Sequence, residues 1–327
     1  MQHEILRPDL GAITGPTNTS LSWPENPDAF IVPPGFEGQR LDYALGGIIP
    51  NLSLRARRRL CENALVLING RPAAASLHLK AGMRIEIQPP TSSEFSCQPI
   101  PHPSVIASHQ GLAAVTKAAG LPCVSLAGNS PDKPALEKAL PTLFSACDPP
   151  YPRLLNRLDT GTSGIVLVGM NQSGESIWRH AENSASVRKN YLAVVEGAIP
   201  VGKNLSIDAA LDTDNRKTTR VIPGAHAPIA RQTMVEGLDV FQISGTACSL
   251  VVCTIILGAR HQIRAHLAHI GHPLYGDIRY GAIHQAAFLL HHTRCALPGF
   301  TAVHLPDWSA VLPGKTISKL HRRFTTN

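Results

Sequence analysis

With 327 residues, 43% of them hydrophobic, the chain can bury a sizeable core and is long enough for one large domain plus a small one. Thirty Lys and Arg against 23 Asp and Glu give a net charge of +7, a mild pointer to a polyanionic partner. No run reaches the roughly 18 apolar residues that a membrane-spanning helix needs, and the start, MQHEILRPDLG, lacks the basic-then-apolar pattern of a signal peptide. The seven Cys form no CxxC pair. A cytoplasmic, reduced protein is expected.

Residues 1–35 are rich in Pro, Gly, Asn, Thr and Ser and show no period. They read as a poorly ordered arm, with one short strand at 29–32. Residues 36–90 form a unit of helix, helix, strand and strand. Leu41, Leu45 and Ile48 recur at helical steps, and Ser53 reads as the N-cap of a second helix. That helix carries Arg55, Arg57, Arg58 and Arg59. Arg55, Arg58 and Arg59 share one face, where like charges repel by a few tenths of a kcal/mol per pair. Phosphates would offset that repulsion. The strand ALVLING ends in the turn pair Asn69-Gly70, and MRIEI alternates as the last strand.

The Pro-rich stretch around 91–105 has linker composition. From 106 to 327, strands are expected at GLAAVTK, GIVLVG, KNYLAVVEG, TMVEGLDVFQIS, CSLVVCTIIL and FLLHHTRCAL, with helices at 173–182 and 261–269. Several strands follow one another with no helix between them. The class is therefore α+β with a mixed, largely antiparallel sheet.

Several chemistries find little support. His261, His266, His269 and His272 lack the HExxH spacing of a zinc site. GTSGI fails the GxSxG pattern of a serine hydrolase. No GxxxxGK[ST] loop exists, and Asp159 has no acidic neighbour within a turn, which disfavours paired-carboxylate chemistry. Read locally, Asp159 is a turn residue before Thr160 and Gly161.

A wider pattern gives Asp159 a second reading. NRLDTGTSG resembles the central motif of the RluA-type pseudouridine synthases, which isomerise uridine in RNA. GLAAVTKAAGLP, RKNYLAVVEG, LGARHQIRAHLAHIGHPLYGDIRYG and FLLHHTRCAL resemble further motifs of that family in the same order. Residues 36–90 resemble the S4-like RNA-binding module, through Gly38, Arg40, Leu41, Asp42, the Arg helix, VLING and LKAGMRIEI.

The resemblance implies Asp159 as catalytic nucleophile, Arg264 as its ion-pair partner and Tyr191 as the aromatic beneath the uracil. Tyr191 is also a candidate to help remove the carbon 5 proton. The target uridine would flip out of its stack, with Arg157 filling the gap or holding a phosphate. Arg55, Arg58, Arg59 and Arg260 would contact RNA. No cofactor is implied, because isomerisation needs no redox or energy input; RNA is the implied partner, ribosomal RNA above transfer RNA, and a monomer the implied state. The family usually has His at the position of Asn156, Pro at that of Ala118, and Gly-Arg-Thr-His where this chain reads Gly258-Ala259-Arg260-His261. These departures keep open an RNA-binding protein that has lost catalysis.

Overall fold

Apolar runs bounded by Gly and polar turns become strands wherever the sequence places them. The structure, a computed structural model, describes residues 30–49, 54–62, 65–87, 101–125, 133–215, 218–282 and 288–325. The chain divides into two units, Met1–Ser96 and Cys97–Asn327. The predicted N-cap Ser53 and most of the N-terminal arm lie outside the described residues.

The first unit holds strand β1 (Phe30–Ile31), helices α1 (Leu41–Ile48) and α2 (Leu54–Glu62), and strands β2 (Val66–Ile68), β3 (Arg71–Pro72) and β4 (Arg84–Ile87). The sheet runs β1-β4-β2-β3, so residues 30–31, which composition assigns to the arm, pair with the last strand of this unit. Asn69 and Gly70, both at positive φ, turn β2 into β3. Leu41, Leu45, Leu60, Val66, Leu79 and Ile85 form the core. Asp42 is buried and paired with Arg40 at 3.0 Å and Arg58 at 2.6 Å. Arg57 donates to the carbonyls of Asp42 and Tyr43, both at 3.2 Å, lying against Gly46, where any side chain would collide with it.

The second unit contains β5 (Val105–His109), β6 (Leu112–Lys117), α3 (Leu136–Leu143), β7 (Arg153–Leu154), β8 (Ser163–Gly169), α4 (Gln172–Asn183), β9 (Arg188–Glu196), β10 (Asn204–Ile207), β11 (Ala209–Asp212), β12 (Arg220–His226), β13 (Thr233–Ile243), β14 (Thr246–Ile255), α5 (Gln262–His269), β15 (Leu290–Leu297), β16 (Phe300–Val303) and α6 (Gly314–Thr325). The main sheet runs β10-β13-β14-β9-β15-β8-β6-β5, with β16 on β15 and β7 on β8. Among the described pairs only β15 and β8 run parallel. The fold is α+β with a mixed, largely antiparallel sheet.

Both faces of the sheet are covered, which explains why β8 is an unbroken apolar run rather than an alternating one. Ile165 and Leu167 pack toward Trp178 of α4, while Val166 and Val168 pack toward Leu136 and Leu140 of α3. Gln262 to Leu267 of α5 are buried. Its His266 is hydrogen-bonded to Thr233 Oγ1 at 2.8 Å and Ala209 O at 2.9 Å. No helix among the described residues is long and apolar enough to cross a membrane.

Candidate active site

Asp159 sits in the loop that leads from β7 into β8. Two residues from the β6 side pin that loop on either side of it. Lys117, the last residue of β6, is only 1% exposed; its Nζ donates to the carbonyls of Ala118 at 3.0 Å, Leu121 at 2.7 Å and Thr160 at 3.2 Å. Burial pulls this amine down to about 8, opposed by the nearby Cys123 and Asp159. Cys123 Sγ accepts from Leu158 N–H at 3.2 Å and donates to Leu158 O at 3.5 Å. Thr162 N–H then closes a turn onto the Asp159 carbonyl at 3.0 Å. Asn156 also serves the loop, its Oδ1 accepting from Leu167 N–H of β8 at 2.7 Å.

Gly164 brings the next layer close. A side chain at 164 would strike the His292 carbonyl at 2.3 Å, so β15 approaches β8 only because this residue is Gly, held at φ +114°. Register then carries the neighbourhood across the sheet, with Gly164 opposite His292 and His292 opposite Tyr191. The Tyr191 and His292 rings stack, centroids 4.5 Å apart and 14° from parallel. His292 Nδ1 lies 2.6 Å from the Ile165 carbonyl, while its Nε2 is buried with no hydrogen-bond partner among the described residues. Burial lowers His292 to about 4 and raises the Tyr191 phenol far above its usual value of 10.

Helix α5 delivers Arg264 from the other side. Its Nη1 lies 3.2 Å from Asp159 Oδ2, while Nε and Nη2 grip Asp277 at 2.6 and 2.9 Å. Tyr280 and Phe288 lie over its guanidinium at 4.9 and 4.7 Å. Phe288 also presses on Gly161, where an added Cβ would sit 2.6 Å from the ring. His261 completes the group. It precedes α5 with φ +53°, its Nδ1 is 2.9 Å from the Tyr280 hydroxyl, and its Nε2 is 3.7 Å from Asp159 Oδ2.

The predicted residues thus divide. Asp159 and Arg264 meet, and Tyr191 lies in the same layered neighbourhood of β8, β15 and β9. Arg157 is exposed two residues before Asp159, with no carboxylate partner among the described residues. Arg260 is turned inward, its Nη2 donating to the carbonyls of Thr213 and Asn215 in the loop between β11 and β12. Arg58 is committed to Asp42, and the side chains of Arg55 and Arg59 lie outside the described residues. His266 and His272 are taken up by local hydrogen bonds, and no metal-holding cluster of His, Cys, Asp or Glu occurs among the described residues.

A carboxylate on a buried guanidinium that Asp277 also grips, with a buried Tyr on the same mixed sheet, is the arrangement expected of an RNA-modifying isomerase. Residues 111–269 match the family described as RNA pseudouridylate synthase. Ribosomal large subunit pseudouridine synthase D of Neisseria meningitidis is 27% identical over 269 residues, 80% of this chain and 69% of the relative. An uncharacterized RNA pseudouridine synthase of Chloroflexus aurantiacus is 29% identical over 299 residues, 86% of this chain and 89% of the relative. The solved structure of human RNA pseudouridylate synthase domain containing 1 shares the fold, with a TM-score of 0.54 and 21% identity over 71% of this chain and 98% of that one. Through residues 111–269, and at 27–29% identity over most of its length, the chain is similar to RNA pseudouridine synthases. It is an isomerase that acts on uridine in RNA.

Sequence reasoning missed Lys117, Cys123, Asp277 and Phe288, and weighed His261 only as a metal ligand. Asp277 lies 13 residues beyond Arg264 and carried a weak signal, an acid following the turn sequence Leu-Tyr-Gly. The others looked like ordinary strand, turn or helix-start residues.

Proposed function

We propose that the protein converts uridine to pseudouridine in large-subunit ribosomal RNA, in the cytoplasm and as a monomer, with Asp159 as nucleophile. The observation that carries this reading is the contact between Asp159 and Arg264, residues 105 apart in sequence, inside the segment that matches the family. The names of the Neisseria relative and others like it support ribosomal RNA.

In this reading the target base leaves its stack and enters the site from the Arg157 side. Tyr191, backed by His292, offers an aromatic face to the uracil. Asp159, pinned between Leu158 and Thr160 and turned toward Arg264, attacks the nucleoside; the bond from nitrogen 1 to ribose breaks, the base turns, and carbon 5 rejoins the ribose. Burial disfavours the Tyr191 phenolate, which favours a stacking role for this ring. The unit ending at Ser96 acts as an S4-like RNA-binding domain, supported by its basic second helix. Among the described residues the thiols at 61, 123, 147, 248, 253 and 295 form no disulfide, which suits a reducing compartment.

The test uses ribosomal and transfer RNA transcribed without modification, each incubated with the protein and mapped for pseudouridine. Pseudouridine at one or a few sites of the ribosomal RNA supports the proposal. Conversion of transfer RNA alone would reassign the substrate, and conversion of neither would reject the reading.

A further inference from the structure

The isomerisation moves a proton as well as a glycosidic bond. Uridine has hydrogen on carbon 5 and none on nitrogen 1 of the base; pseudouridine has the reverse. Whichever atom Asp159 attacks, the C5–H bond must break, its electrons restoring the C5–C6 double bond, and a proton must reach nitrogen 1. Asp159 is occupied as nucleophile, Arg264 stays charged, and Lys117 is spent on three carbonyls. Tyr191 is held as a neutral phenol.

We propose that His261 takes the proton from carbon 5 and returns it to nitrogen 1, an inference that rests on the synthase reading above. Its Nε2 faces Asp159 Oδ2 at 3.7 Å, so it borders the place where the reacting base must sit. Its Nδ1 rests on the Tyr280 hydroxyl at 2.9 Å, and that hydroxyl accepts from Thr219 N–H at 2.8 Å. The Tyr280 oxygen keeps its own proton and a further lone pair. It can donate to Nδ1 or accept from it, and so accommodates both ring tautomers.

The backbone supplies a second, independent observation. His261 occupies the left-handed region at φ +53° and makes no side-chain capping bond to its helix. A side-chain-bearing residue pays for that conformation in strain, and such outliers gather where a side chain must be aimed. Burial keeps the imidazole neutral and able to accept a proton; Asp159 opposes that effect, while Arg264, Arg279 and Arg260 add to it.

The step balances. The C5–H proton passes to Nε2, the base becomes an anion with charge on nitrogen 1, and the resulting imidazolium gives its proton to that nitrogen. Imidazole and carboxylate end as they began.

His261→Gly tests this, because Gly adopts the left-handed region freely and leaves a cavity the size of the lost ring. The single-turnover rate should fall by about 10²- to 10⁴-fold, with RNA affinity within about twofold of wild type. Added imidazole should restore part of the rate, more basic imidazoles restoring more. RNA carrying deuterium at carbon 5 should react several-fold more slowly with the variant. His261→Asn, which also tolerates positive φ, should show the same loss and isotope sensitivity and gives a second fold-preserving variant. An unchanged rate, or a loss indifferent to both imidazole and deuterium, would overturn the proposal. Wild-type protein that makes no pseudouridine, or an Asp159→Ala variant that still makes it, would instead bring down the synthase reading, and this inference with it.

Discussion

Asp277 takes both Nε and Nη2 of Arg264, at 2.6 and 2.9 Å, and so fixes the plane in which the remaining nitrogen can reach Asp159. Both side chains of the pair are nearly inaccessible, at 2% and 6% exposed. Removing one partner leaves the other charge buried, at a cost of about 3–5 kcal/mol. Asp277→Ala should therefore lower the melting temperature sharply and reduce kcat more than KM, because the nucleophile loses its orienting partner. Arg264→Lys should fail in the same direction, since an ammonium cannot reproduce the two-pronged grip on Asp277. Thermal unfolding and single-turnover kinetics check both.

The stack of Tyr191 on His292 makes a prediction about pH. A phenol held neutral by burial cannot supply a basic limb to the rate profile below pH 10. Tyr191→Phe should keep the ring face and lose less than about tenfold in rate, whereas Tyr191→Ala should lose on the order of a hundredfold. Rates measured from pH 6 to 10 for the three proteins separate stacking from proton removal.

The arginines should differ in what they do for RNA. Arg157 is exposed, with no carboxylate partner among the described residues, while Arg58 and Arg260 are spent on Asp42 and on the carbonyls of Thr213 and Asn215. Arg157→Ala should cut the slope of log affinity against log salt by about one. Arg58→Ala should leave that slope nearly unchanged and destabilise the first unit instead. Salt titrations of RNA binding, paired with melting curves, read both effects.

The two units should respond to acid in different windows. Asp42 is held down to about 2 from its ordinary 3.8, first by the hydrogen bond from Arg40 and then by Arg58. A depressed carboxyl stabilises the fold above the unfolded value, so its contribution to the first unit fades as pH falls from about 4 toward 2. In the second unit, burial lowers His291 to about 3 and His292 to about 4. Between 6.5 and those values the unfolded chain binds protons that the folded unit refuses, so stability falls as pH drops through that range. Urea melts from pH 7 to 2, followed by probes in each unit, should show the second unit weakening first.

The strands and the two central helices were legible because their signals are local. Apolar runs between turn residues gave β6, β8, β9, β13, β14 and β15 to within a few residues, and the HQIRAHLAH stretch gave α5 to within one residue. Helices α3 and α6 escaped notice: α3 carries Pro141 inside it, and α6 holds mostly polar residues around a thin apolar stripe of Ile317, Leu320 and Phe324. Within the site, Asp159, Arg264 and Tyr191 were readable from motif resemblance. Their supports were not, because Lys117, Cys123, Asp277 and His261 act through contacts that only the fold creates. Arg58 shows the converse, since a residue that reads as phosphate-binding on a helix face meets a buried Asp 16 positions earlier.

The most direct test compares wild type with Asp159→Ala on the same RNA, measuring pseudouridine formed in a single turnover and RNA affinity side by side. Wild type should convert its target uridine while the variant binds the RNA equally and forms no pseudouridine. Conversion by the variant at a rate near that of wild type would contradict the assignment of Asp159 as the nucleophile.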